Sequence, residues 1–178
     1  MPRTDRGAKT RKLTTCAMLS ALGVVLLWLG SMVELVDISM AIIASLFCVF
    51  AVIEYGGSAP WLVFGVTGIL SLILLPQKTP ALMYLLFFGY YPILKEKLEK
   101  RPKVTAWILK EVIFNVALVL MLLLSHFTLM TADAADSMLL FYIAFAVLAE
   151  LAFPVYDIAL TRLISLYIYR LRKRFRIK

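Results

Sequence analysis

The chain reads as an all-α membrane protein, a six-transmembrane-helix bundle with both termini cytoplasmic. Three observations predict that class. Hydrophobic residues make up 62% of the 178 positions, and mean hydropathy is +0.90. A soluble domain of this size must turn much of its surface to water and has no use for so much apolar material. The apolar residues fall into segments near spanning length, separated by short polar stretches. The cations collect at three places between or beyond those segments, which is a pattern of membrane topology.

The elements follow in order. Residues 1–12 (MPRTDRGAKTRK) hold five cations and read as a basic, mobile cytoplasmic tail. The transmembrane domain then occupies 13–169, and a second basic cytoplasmic tail occupies 170–178. Span 1 covers 13–32, and its apolar run of about eighteen residues is long enough to cross a hydrocarbon core. Its inner half carries Ala17 and Ala21 four apart, with Ser20 and Gly23 beside them. A small-residue stripe of this kind lets a second helix approach closely in lipid. No A-x-A site closes the segment and further spans follow at once, so it is not read as a cleaved signal peptide.

Residues 31–39 contain Glu34 and Asp37 and no cation. Span 2 covers 38–55, and Gly56 to Pro60 is a turn signal. Span 3 covers 60–75, followed by the short connection Pro76 to Pro80. Span 4 covers 80–94 and ends on Tyr90, Tyr91 and Pro92, an aromatic interface anchor beside a helix irregularity. Residues 95–103 (KEKLEKRPK) form a basic loop with five cations and two acids. Span 5 covers 104–130. Residues 131–137 hold Asp133 and Asp136 and no cation. Span 6 starts near 138 and runs helically into the C-terminal tail, where six cations follow from Arg170 onward.

An even number of spans puts both ends on one side. That side collects sixteen cations, and the other holds only Lys78. The positive-inside rule therefore places both termini on the cytoplasmic side of the membrane. The net charge of +8 follows this topology and does not call for nucleic acid. Cys16 and Cys48 fall inside apolar segments without metal-ligand spacing and read as small hydrophobes.

Ionisable groups inside spans are expensive, so each needs a reason. Lys110 and Asp157 come to similar depth when rise per residue is counted from the inner ends of spans 5 and 6, and are expected to form a buried ion pair. The bland alternative is a Lys110 that snorkels to the interface. Glu150 lies near the middle of span 6 with no cation within a turn. It is either protonated or turned to a polar cavity. Asn115 can bond across helices, and His126 near the outer end of span 5 is the single histidine. Trp28, Tyr84 and Tyr142 lie in outer halves of spans, where aromatic walls suit a ligand. With Glu34 at the outer mouth, these residues form the candidate substrate-binding set. Pro154 frees a backbone carbonyl in span 6, a common neighbour of cavities.

No phosphate loop, H-E-x-x-H, G-x-S-x-G or metal-spaced cluster occurs, so neither an enzyme nor a cofactor-binding protein is indicated. The chain resembles the substrate-binding (S) components of energy-coupling factor (ECF) transporters. The likeness rests on a basic opening followed by an A-x-x-x-A stripe, here Lys12 and then Ala17 to Ala21, together with six spans, short loops and the closing segment FPVYDIALTRLISLYIYRLRKR. That resemblance implies a subunit that captures a vitamin-like micronutrient or a metal from outside. It implies docking through Ala17, Ser20 and Ala21 on a transmembrane T component that carries two ATPases. It also implies a pocket in the outer half, closed by loops 31–39, 76–80 and 131–137. The rival expectation is a structural polytopic protein resembling the MreD-type cell-envelope factors, which would bind no small molecule.

Overall fold

The computed structural model describes residues 3–128 and 135–171, with side chains described for 7–124 (Glu34 excepted) and 143–169. The chain is an all-α, six-helix, multi-pass membrane protein. Among the described residues, four helices, within α1, α2, α6 and α7, are long and apolar enough to cross a membrane. Helix α1 is Arg3–Gly30, a 3-10 turn follows at Glu34–Val36, and α2 is Asp37–Glu54. Helix α3 is Ala59–Leu74. The fourth helix is interrupted: α4 is Thr79–Met83, a π-helical turn takes Tyr84–Phe88, and α5 is Tyr91–Leu98. Helix α6 is Lys103–Thr128, and α7 is Ala135–Leu166, continued by a π-helical turn at Tyr167–Leu171.

The breaks have local causes. Helix α2 ends at Tyr55, and Gly56 and Gly57 follow with φ of 56° and 58°. That left-handed backbone suits residues without a Cβ. The Gly56 amide donates to the Ala51 carbonyl at 3.1 Å and closes the helix end. Pro60 stands in the first turn of α3, where its missing N–H costs nothing. Leu75 is extended because Pro76 follows it. Pro92 cannot donate into a helix arriving from residue 88, so a new helix starts at Tyr91.

Three expectations need correction. Most of the segment expected to be a mobile tail is helical: α1 already runs from Arg3, and Ala8, Lys9, Arg11 and Lys12 are good helix formers. Span 4 is not one helix but α4, a π turn and α5. The basic stretch 95–103 is mostly helix, since α5 continues to Leu98 and α6 starts at Lys103. Only four residues remain between them.

The chain divides into two compact units, Met1–Ile113 and Phe114–Lys178. In the first, α2 is the hub: it packs on α1, α3, α4, α5 and the π turn. Among its buried positions, the small residues Ala41, Ala44, Cys48 and Ala51 recur every three to four residues. Close helix approach in lipid needs such a stripe. Helix α1 crosses α3 at Gly23, where an added Cβ would stand 2.9 Å from Thr67 Cγ2. In the second unit, Phe114 of α6 and Phe153 of α7 stack at 4.5 Å with planes 13° apart. Helix α7 passes through Pro154 without interruption.

Candidate functional site

The first unit holds a polar core within its apolar one. Tyr84 opens the π turn and is fully buried. Its hydroxyl lies 3.1 Å from Cys48 Sγ on α2. Thr67 of α3 donates to the Ser20 carbonyl of α1 at 3.5 Å. These bonds give the buried Tyr84 and Thr67 hydroxyls a partner between helices. An aromatic series leads outward from Tyr84: Phe64 lies 6.0 Å from it, and both Trp61 and Tyr90 meet Phe64 edge-on at 6.0 Å.

The end of the same unit where α5 meets α6 carries a charged cluster. Lys95 is 1% exposed and Lys110 6%. Glu99 serves both: its Oε1 lies 2.9 Å from Lys95 Nζ and 3.4 Å from Lys110 Nζ. An ammonium taken out of water requires such a carboxylate. Beside them Lys100 pairs with Glu96 at 2.9 Å, one helical turn earlier. Lys97 places its Nζ 5.9 Å from the Trp61 ring centroid, within cation–π range.

The residues expected at the site are distributed as follows. Ala17 and Ala21 are exposed on α1, while Ser20 is 2% exposed and belongs to the face packed on α2 and α3. Trp28 is 43% exposed, and its carbonyl accepts from Ser31 Oγ at 2.7 Å. Tyr84 is part of the core of the first unit. Asn115 is exposed and Glu150 half-buried, both in the second unit. Asp157 is buried there, and its carbonyl accepts from Thr161 Oγ1 at 2.9 Å. Lys110 and Asp157 thus lie in different units, each buried; within its own unit Lys110 meets Glu99. The side chains of Glu34, His126 and Tyr142 lie outside the described residues.

Helix α7 joins two of these features. Its residue 154 has no N–H to offer the carbonyl four positions back, and that carbonyl belongs to Glu150. A carboxyl group and a freed carbonyl therefore stand on one residue at mid-helix. Among the described residues, no three His, Cys, Asp or Glu side chains gather as a metal site.

No family model, curated protein or solved structure matches this chain. What the geometry establishes is a polytopic all-α membrane protein.

Several of the residues that matter here carry only a faint signal in the sequence. The sequence places Lys95 and Lys97 in a loop and Cys48 among small hydrophobes, whereas the two lysines stand on α5 and Cys48 Sγ meets the Tyr84 hydroxyl. A signal for Cys48 was present: Ala41, Ala44, Cys48 and Ala51 repeat at helical spacing along span 2. For Lys95 the signal was its acid one turn on, Glu99.

Proposed function

We propose that this chain is the substrate-capture subunit of an ECF-type importer. Both termini lie in the cytoplasm, and α1 offers Ala17 and Ala21 to a T component that carries two ATPases. The observation that carries this reading is the division of α1 into two faces. Cys16, Ser20, Val24 and Leu27 are buried, whereas Ala17 and Ala21 are exposed. Small side chains on an exposed face leave room for a partner helix to come close. Ser20 is withheld from that face, so docking is assigned to the alanines alone.

The cargo is a small micronutrient captured from outside. Glu150, with the carbonyl that Pro154 frees, supplies its polar anchor. A carboxyl group held at mid-membrane is costly unless it meets a cation, a proton or a hydrogen-bond donor.

Co-expression with a T component and its ATPases tests the docking surface. Wild-type protein should co-purify with them. Ala17→Trp and Ala21→Trp should each abolish the complex while the protein still accumulates in the membrane. A complex that survives both substitutions removes this role from α1. Mass spectrometry of the purified chain should find a retained small molecule that Glu150→Gln loses. A chain that never carries one would favour the structural, MreD-like reading.

A further inference from the structure

We propose that the corner between α5 and α6 binds the headgroup of an anionic phospholipid. This stands apart from the transport reading, because it depends neither on cargo nor on a motor. Glu99 is drawn to the buried Lys95 and Lys110, and Glu96 is taken by Lys100. The exposed cations Lys97, Arg101 and Lys103 have no acid against them among the described residues. Three positive charges are therefore left on a short, helix-bounded corner. The internal ion pairs fix its shape.

The surroundings say which anion fits. Trp61, 40% exposed, lies under Lys97 and is braced by Phe64. Indole rings of this kind settle at headgroup depth. Next to the cations stand exposed apolar side chains, Val104, Trp107 and Ile108, on the first turns of α6. A free phosphate would leave that apolar surface unused. A phospholipid uses both parts: its phosphate meets Lys97, Arg101 and Lys103 through charge-assisted hydrogen bonds, and its acyl chains lie along the apolar flank.

The test uses the full chain, purified in a neutral detergent and offered phosphatidylglycerol or phosphatidylcholine. Bound lipid is read by native mass spectrometry, and stability by thermal unfolding. Phosphatidylglycerol should be retained selectively and should raise the unfolding temperature. Removing the three charges together, with K97Q, R101Q and K103Q, should weaken retention by about a hundredfold, given the usual contribution of each basic residue near an anionic surface. W61L should weaken it less. A control with K9Q, R11Q and K12Q should leave it unchanged.

Equal retention of both lipids by the wild-type chain overturns the proposal, and that comparison needs no variant. So does an equal loss in the control, which would mean a general charge effect. Stabilisation by inorganic phosphate or glycerol phosphate alone would assign the corner to a soluble anion instead. Selective capture of an acidic protein without lipid preference would assign it to a protein partner.

Discussion

Gly23 and Thr67 show how tightly the first unit is closed. An ideal Cβ at residue 23 would lie 2.9 Å from Thr67 Cγ2 and 3.2 Å from Oγ1. Thr67 is β-branched, so its rotamer has little freedom to give way. Overfilling a packed site typically costs about 1–3 kcal/mol. Gly23→Ala should therefore lower the thermal unfolding temperature in detergent. In a Thr67→Ser background the nearer atom is gone, and the same change should cost less. Two penalties that simply add would mean the contact is not where the strain arises. Gly23 was visible in the sequence as a small residue. Its partner was not, because Thr67 lies 44 positions away in α3 and nothing local links them.

Helix α1 makes the same lesson larger. The sequence shows Ala17, Ser20, Ala21 and Gly23 as one small-residue group, but a helix turns about 100° per residue, which separates them. Ser20 and Gly23 continue the row Cys16, Ser20, Val24, Leu27 that packs inward, while Ala17 and Ala21 stand on the outward side. Which of two adjacent rows goes inward is decided by the surfaces of α2 and α3, not by α1. Bulky substitutions should therefore sort by row. Ser20→Trp should lose most of the folded protein, as judged by size-exclusion profile and unfolding temperature. Ala17→Trp and Ala21→Trp should elute and unfold like the wild type when no partner is present. A Ser20→Trp protein as stable as the alanine variants would show that the row is not a packing surface. Helix α2 gives the converse case: its small stripe was legible as spacing, but its place at the centre of the unit became evident only from the elements packed around it. The interruption of the fourth helix was half legible. Pro92 announces a new start, whereas nothing in Tyr84–Phe88 announces a π turn.

At the scale of the whole chain, the class was fully legible, because hydropathy and charge placement are properties of composition and order alone. The number of crossings is a harder matter and turns on two elements. Helix α3 has 16 residues, or about 24 Å at 1.5 Å per residue, against a hydrocarbon core of about 30 Å. The helix after it is broken. If both cross, the connection between them faces outward. If neither does, α1 and α2 still return the chain to its starting side, and the cation count on that side is barely altered. The positive-inside rule alone cannot separate these two cases, but Thr79 can. It is exposed at the first turn of α4, and Gly7 and Lys100 are exposed at the cationic end. The native thiols Cys16 and Cys48 are buried, so single cysteines can be added without removing them. With an impermeant maleimide, Thr79→Cys should be labelled on intact cells. Gly7→Cys and Lys100→Cys should be labelled only in inverted vesicles. Labelling of Thr79→Cys from the same side as Gly7→Cys would make α3 and the broken helix a re-entrant pair, and the chain would cross four times. Gly7→Cys and Lys100→Cys on opposite sides would mean that just one of the two elements crosses, and the shared sidedness of the cationic segments would fail with it.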